Sequence, residues 1–116
     1  NIHFVGFQNQ SKMPIWYRVA DVFCLPSQGP GETWGLAVNE ALACGCQVLV
    51  SDRVGCAEDL IKGQPFGRII PAQKSSLWAD AMRKGSRSQS DGAEIVKYIQ
   101  NWDPKRFCTA LKNTLK

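Results

Sequence analysis

The amino-acid sequence predicts an α/β domain in which helices cover both faces of a parallel β-sheet. Short apolar segments rich in β-branched and aromatic residues alternate with stretches of helical pattern. The apolar segments are nearly continuous, as expected for strands that are buried on both faces. Glycines and Gly/Pro clusters separate the segments. Together these observations predict a three-layer, Rossmann-like sheet flanked by helices.

The first three elements follow from residue type and from their flanking residues. Residues 2–7 predict a strand, because they are rich in β-forming side chains and are followed by a polar stretch. Residues 11–20 predict a helix that Ser11 caps and that has Pro14 in its first turn. Residues 21–25 predict a second strand, which stops at a cluster of glycine and proline.

The remaining elements follow from the same criteria. Hydrophobic periodicity and the glycine and proline positions set their approximate limits. In chain order, the sequence predicts a helix at about 33–44, a strand at 47–51, a short helix at about 56–62, a strand at 67–70, and a helical region from 75 onward that is broken at 85–92 and ends with a helix at 105–115.

Chain length sets the domain organisation. A chain of 116 residues has room for one compact domain. We therefore expect residues 1–116 to form a single domain, with a core at 1–70 and C-terminal helices at 71–116. Since the chain starts at Asn1 without a methionine, we expect it to begin inside a longer protein.

The composition is ordinary for a globular protein and favours a reducing compartment. Hydrophobic residues make up 44% and charged residues 21% of the chain, and no apolar run reaches the roughly 18–20 residues of a membrane helix. The five cysteines cannot all pair, which favours packed thiols and a cytoplasmic location. With His3 as the single histidine, no metal site is expected.

Charge is distributed unevenly between the two halves of the chain. Residues 1–60 hold three basic and six acidic residues, whereas residues 61–116 hold eleven basic and four acidic ones. A solvated helical face explains such a basic excess, and so does a surface that meets an anionic membrane or another acidic partner. Nucleic acid is not expected as a partner, because no aromatic residues are interleaved with the basic ones. The basic excess is concentrated at Arg83, Lys84, Arg87, Lys105, Arg106, Lys112 and Lys116.

The segment 26–40 is the strongest candidate for a functional site. It leaves the carboxyl end of a predicted strand, where ligands bind in sheets of this type. It then crosses a loop of glycine and proline and enters a helix. The backbone amides of residues 33–36 would lie at the helix N-terminus, where the positive end of the dipole favours phosphate.

Two glutamates in this segment, Glu32 and Glu40, stand out. Glu40 lies in an otherwise apolar helix, so the pattern predicts a buried carboxylate that needs hydrogen-bond donors. A continuous helix would place the two carboxylates roughly 12 Å apart along its axis. That spacing suits two anchors on an elongated ligand such as a nucleotide sugar. Each glutamate also has a structural explanation. Glu32 could complement the helix dipole, and Glu40 could form an ion pair with an arginine or lysine side chain or face solvent.

These residues resemble the carboxyl-terminal, donor-binding domain of the retaining GT-B glycosyltransferases of group 1, also called family 4. The Glu-x7-Glu pattern of that family matches Glu32 and Glu40. The similarity is close over residues 2–70 and looser beyond. The segments that follow the family consensus in order are Phe4-Val5-Gly6-Phe7, Ala20-Asp21-Val22-Phe23, Leu25-Pro26-Ser27, Glu32-Thr33-Trp34-Gly35-Leu36, Glu40-Ala41, Ala43-Cys44-Gly45, Val50-Ser51-Asp52 and Val54-Gly55.

The resemblance implies transfer of a glycosyl unit from a nucleoside-diphosphate sugar to an acceptor, with retention and without a metal or other cofactor. By analogy with the family, Glu32 would position the donor sugar for catalysis, and Glu40 would bind the nucleotide ribose. The other donor-binding positions that the resemblance implies are Thr33, Trp34, Gly35 and Leu36 near the diphosphate and sugar, and Gly6 and Phe7 near the base.

Two departures from the family pattern bear on activity. A basic pair that the family uses on the diphosphate and the whole amino-terminal acceptor domain would lie upstream of Asn1. We therefore expect this chain to be inactive alone and to need that domain as a partner. The Gly-Gly and later Glu of the family appear here as Gly55-Cys56 and Asp59, which weakens a sugar-contact role for that loop.

Two other classes of protein fit the sequence. One is a non-catalytic interaction domain that kept the GT-B half-fold. The other is a flavodoxin-like nucleotide-binding or signalling module, although Asp52 lacks the neighbouring acidic residues and the lysine of a receiver domain.

Overall fold

The computed structural model describes residues 1–85 and 90–114 of the chain. Helices and strands alternate within the first of these ranges, which confirms the α/β class. The elements are α1 (Met13–Val19), β1 (Val22–Leu25), α2 (Leu36–Ala43), β2 (Gln47–Ser51), a π-helical turn (Ala57–Ile61), β3 (Gly67–Ile70), α3 (Ser75–Gly85), α4 (Gly92–Ile99), a 3₁₀ turn (Gln100–Trp102) and α5 (Pro104–Thr114).

The three strands form a parallel sheet in the order β1-β2-β3. Cys24 of β1 pairs with Leu49 of β2, and Val50 of β2 pairs with Ile69 of β3. All three carboxyl ends therefore point to the same edge of the sheet. The loops that follow the strands meet at this edge, which is where the candidate site lies.

Helices pack on both faces of the sheet, so the three-layer arrangement is confirmed. Val48 and Val50 point into the larger core with Leu42 of α2, and α1 and α4 pack against α2 on that side. Leu49 points to the opposite face, where it packs with Trp78 of α3. This alternation along β2 explains why its sequence is continuously apolar: successive side chains enter different cores.

The predicted strand at residues 2–7 is wrong. The described structure has no strand there, and the segment is exposed, with Phe4 97% accessible. Backbone groups of a strand need a neighbouring strand to pair with. No described strand lies alongside this segment or beyond β1, so the sheet has three strands in the described residues instead of the four predicted.

Two helix predictions also need correction. The helix expected at 11–20 is α1, whose N-cap position holds Lys12 without a side-chain hydrogen bond, and the Ser11 hydroxyl instead donates to the Asn9 side chain at 2.7 Å. The short helix expected at 56–62 is a single π-helical turn. Arg87, Leu115 and Lys116 lie outside the described residues, so the basic cluster and the end of the last helix are described only in part.

The last helix, α5, has little packing against the rest of the chain. Its described side chains are exposed, including the basic residues Lys105, Arg106 and Lys112. Its N-terminus is capped by Asp103, whose carboxylate accepts a hydrogen bond from the Arg106 amide at 2.7 Å. None of the helices in the described part of the chain is both long enough and apolar enough to span a bilayer.

Candidate functional site

The carboxyl ends of β1 and β2 are joined by a buried hydroxyl. Ser51, the last residue of β2, is fully buried, and its Oγ donates to the Ser27 carbonyl at 2.7 Å. The same Oγ accepts a hydrogen bond from the Arg53 amide at 3.3 Å. One side chain therefore fixes the start of the loop that carries Glu32 and the start of the loop that carries Arg53.

The loop after β3 is tied to the same edge. The Ala72 amide donates to Asp52 Oδ1 at 3.0 Å, and the Ala72 carbonyl accepts from Gln28 Nε2 at 3.0 Å. Loops that follow all three strands are thus cross-connected by hydrogen bonds. Such a network holds a site in place before a ligand arrives, which reduces the ordering cost of binding.

A first cavity, of about 390 Å³, lies at this edge and is lined by both acidic and basic side chains. Glu32 is half-buried there, and Arg53 lines the same cavity. The other lining residues are Gln28, Gly29 and Pro30 of the glycine-proline loop. A carboxylate and a guanidinium facing one cavity can bind hydroxyl groups and an anionic group of the same ligand.

The helix after this loop begins later than predicted. Its N-cap is Gly35, with φ +92°, and the first bond of the helix runs from the Val38 amide to the Gly35 carbonyl at 2.8 Å. A positive φ at the cap favours glycine. Thr33 and Trp34 therefore precede α2, and the amides at the actual helix start are those of Leu36 and Ala37.

The loop that follows β2 packs against the segment Thr33–Gly35 and supports it. The Cys56 amide donates to the Trp34 carbonyl at 2.9 Å. A Cβ added at Gly55 would lie 1.8 Å from the Thr33 carbonyl oxygen, so the two backbones approach as closely as they do only because residue 55 has no side chain. This loop has Gly55-Cys56 where the resemblance predicted Gly-Gly. It supports the site through packing of its backbone against Thr33.

Trp34 faces the core and does not line the first cavity. Its side chain is half-buried and packs against the larger core, and its indole Nε1 donates to Asn39 Oδ1 at 2.9 Å. The neighbouring side chains of Thr33 and Leu36 are exposed. Trp34 therefore anchors the candidate segment to the core, while Thr33 and Leu36 face outward.

The prediction that Glu40 is buried is wrong. Glu40 is exposed, together with Leu36 and Ala43 on the same face of α2, whereas Val38, Ala41 and Leu42 face the core. Packing on one side of the helix explains the difference, because the exposed face also carries the apolar side chains of Leu36 and Ala43 and therefore resembles a buried face in sequence. The Glu40 Oε2 accepts a hydrogen bond from the Tyr17 hydroxyl at 3.1 Å.

A second cavity, of about 290 Å³, lies beside this pair. Glu40 and Tyr17 line it, and the other lining residues are Gln10, Met13, Pro14, Ala43 and Cys44. Glu32 and Glu40 therefore line different cavities. The spacing expected from a continuous helix between them does not apply, because the helix starts at Leu36.

The structure does not bring Gly6 and Phe7 to either cavity. Both lie in the exposed segment before α1, with Phe7 94% accessible, and neither lines the cavities of Glu32 and Glu40. Their expected role near the base stays a prediction.

Two of the polar residues that line these cavities, Arg53 and Tyr17, lie outside the segment 26–40 that the sequence predicted as the site. Arg53 follows the carboxyl end of β2, so the rule that ligands bind at that edge could have included it. Tyr17 could not have been found in this way, since its proximity to Glu40 depends on how α1 packs against α2. In the part of the chain that the structure describes, no three His, Cys, Asp or Glu side chains come together as a metal site.

We expect Ser51→Ala to loosen the edge of the sheet. The change leaves the Ser27 carbonyl without its buried donor, which should lower the free energy of unfolding by about 1–2 kcal/mol. Urea denaturation measures this, with Ser76→Ala on the exposed face of α3 as the control. The control should stay within about 0.5 kcal/mol of the parent; equal losses in both variants would contradict a structural role for the Ser51 hydroxyl.

The model of the family "Glycosyl transferases group 1" matches residues 1–102. The chain belongs to this family. Among its relatives, a phosphatidyl-myo-inositol mannosyltransferase of Mycobacterium leprae is 35% identical over 82 residues, which are 71% of this chain and 21% of that protein.

Two other relatives are both called D-inositol 3-phosphate glycosyltransferase. The one from Jonesia denitrificans is 30% identical over 83 residues, covering 72% of this chain and 19% of its own length. The one from Mycobacteroides abscessus is 33% identical over 90 residues, covering 73% and 20%. The chain therefore spans about a fifth of the length of the curated relatives it matches.

Proposed function

We propose that this chain is the donor-binding domain of a retaining group 1 glycosyltransferase and that it binds a nucleoside-diphosphate sugar. The observation that carries the proposal is the cavity lined by Glu32 and Arg53 at the carboxyl ends of β1 and β2. Family membership supports the same ligand class. Transfer to an acceptor then requires the remaining part of a longer protein, and the chain alone is inactive.

The two cavities divide the proposed ligand between them. Glu32 accepts hydrogen bonds from hydroxyls of the sugar, while Arg53 and the amides at the start of α2 bind the diphosphate. Glu40 accepts hydrogen bonds from the ribose hydroxyls. The base then points toward the segment that holds Gly6 and Phe7.

Electrostatics is the main catalytic contribution that these residues make. Negative charge grows on the diphosphate as it leaves the sugar, and a fixed guanidinium and oriented amides stabilise that charge. Two observations support this role for Arg53: its amide is held by Ser51, and the one ion pair of its guanidinium among the described residues is a 4.0 Å contact with Asp52. The proposed reaction uses no metal or other cofactor, so we expect binding to be insensitive to a chelator.

Isothermal titration calorimetry of the 116-residue chain tests this function. The probes are UDP and GDP, each compared with its sugar form, UDP-glucose and GDP-mannose. Glu40→Gln should weaken binding of nucleotide and nucleotide sugar alike by about tenfold, which corresponds to about 1.4 kcal/mol. Glu32→Gln should remove only the extra affinity that the sugar provides.

The matched control is Glu58→Gln, which changes an exposed glutamate paired with Lys62 at 2.6 Å on the π-helical turn. It lies outside both cavities and should bind like the parent chain. Absence of binding of all four probes up to about 5 mM, where a binding free energy of about 3 kcal/mol is still measurable, would overturn the proposal.

A further inference from the structure

The contact between Tyr17 and Glu40 joins two helices across the second cavity. The Tyr17 hydroxyl donates to Glu40 Oε2 at 3.1 Å, although the two residues lie 23 positions apart. Tyr17 is 5% accessible, whereas Glu40 is exposed. Among the side chains that the structure describes, Tyr17 is the one that hydrogen-bonds the Glu40 carboxylate.

The Tyr17 ring is held in place from the side of the sheet. It packs edge-on against Phe23 of β1, with ring centroids 5.4 Å apart and planes at 83°. A buried ring with such a neighbour cannot turn away without losing that packing. The hydroxyl is therefore a fixed donor at the wall of the cavity that both residues line.

The orientation of Glu40, which is exposed, depends on such a donor. An exposed glutamate has a flexible side chain, and fixing it on ligand binding costs rotamer entropy. The Tyr17 bond occupies Oε2, and the described residues make no hydrogen bond to Oε1. A carboxylate can accept about four hydrogen bonds in all, so the pair leaves most of the accepting capacity of Glu40 for a ligand.

We propose that Tyr17 is a positioning residue that orients the Glu40 carboxylate toward vicinal hydroxyl groups of a ligand in the second cavity. The proposal deepens the proposed function, on which it rests, because those hydroxyls belong to the ribose of a nucleoside diphosphate. Tyr17 itself does not touch the ligand in this role. Its hydroxyl acts through the orientation of Glu40.

The protonation state of Tyr17 agrees with a donor role. Burial, followed by the hydrogen bond to Glu40, raises the pKa of Tyr17 to about 12. The hydroxyl therefore keeps its proton at neutral pH and can donate a hydrogen bond to Glu40.

Tyr17→Phe tests the proposal, since it keeps the ring and removes only the hydroxyl. The probes are UDP and GDP and their 2′,3′-dideoxy counterparts, measured by calorimetry on the same chain. We expect binding of UDP or GDP to weaken about threefold to tenfold, the range expected for one lost hydrogen bond. Binding of the dideoxy probes should not change, because they lack the hydroxyls that Glu40 would bind.

Tyr98→Phe is the matched control. The Tyr98 hydroxyl donates to the Leu60 carbonyl at 3.2 Å, and its ring packs against Phe66 with centroids 5.0 Å apart. Tyr98→Phe removes the same chemical group as Tyr17→Phe, at a position outside both cavities. It should therefore lower the melting temperature without changing nucleotide affinity.

The double variant Tyr17→Phe/Glu40→Gln should bind UDP no more weakly than Glu40→Gln alone, because the hydroxyl acts only through Glu40. An equal loss for ribose and dideoxy probes, or an equal loss in Tyr98→Phe, would overturn the positioning role. If Tyr17→Phe binds like the parent while Glu40→Gln does not, the positioning role fails and the proposed function stands. If Glu40→Gln binds like the parent, the positioning role fails; the proposed function fails when the parent chain binds none of the probes.

Discussion

Gly55→Ala is expected to weaken nucleotide binding more than tenfold and to destabilise the fold by about 3 kcal/mol. An alanine Cβ at this position would lie 1.8 Å from the Thr33 carbonyl oxygen and 2.9 Å from the Thr33 carbonyl carbon. Both atoms are backbone, so no side-chain rotation can relieve the overlap. The segment Thr33–Gly35 would have to move away from the loop that supports it.

That movement should cost function as well as stability. It would break the hydrogen bond from the Cys56 amide to the Trp34 carbonyl and displace the start of α2. We expect the affinity for UDP or GDP to fall more than tenfold, beyond the effect of either glutamate variant. Calorimetry measures the affinity, and urea denaturation measures the stability.

Gly31→Ala, in the glycine-proline loop that leads to Thr33–Gly35, provides the control. No atom lies within 4 Å of a Cβ added at Gly31, and its φ is not positive. It should fold and bind like the parent, or gain a few tenths of a kcal/mol through a less flexible unfolded chain. If Gly55→Ala behaves like Gly31→Ala, the close approach of the two loops has no functional consequence.

The second large effect is expected from Leu42→Ala, which should lower the free energy of unfolding by about 3–4 kcal/mol. Leu42 is fully buried on the core face of α2, among residues that include Val48 and Val50 of β2. Removing its side chain leaves a cavity between helix and sheet. Because single domains have a total stability of about 5–15 kcal/mol, this loss is a large part of the whole.

Thermal and urea denaturation measure this loss. At about 4 °C for each kcal/mol, the melting temperature should fall by more than about 10 °C. Leu77→Ala, at a 47% accessible position on α3, is the matched control and should cost under about 1 kcal/mol. Similar losses in the two variants would contradict the assignment of α2 as the core helix.

Local patterns were sufficient to predict the three strands that pair. The apolar runs at β1, β2 and β3 were predicted within one residue of their observed limits, because continuous β-forming residues between glycine and proline clusters have few other interpretations. The segment 2–7 carries the same local signal, yet it is not a strand. Pairing is a property of two segments, and no described strand lies next to this one.

The candidate site was predictable in part for the same reason. The loop after β1 and Glu32 were identified from position and residue type, and the structure places Glu32 in a cavity at the carboxyl edge. The exposure of Glu40 was not predicted, because the periodicity of a short helix rich in alanine does not show which face the sheet covers. The donor-binding roles of these residues stay predictions until binding is measured.

The sequence by itself determined the fold class, the positions of the three paired strands along the chain, and the family. Those properties follow from residue type and spacing along the chain. Tertiary structure alone decided that Tyr17 meets Glu40, that Arg53 shares a cavity with Glu32, and that Gly55 lies against Thr33. Each of these contacts joins residues about 20 positions apart, and their approach depends on how whole elements pack.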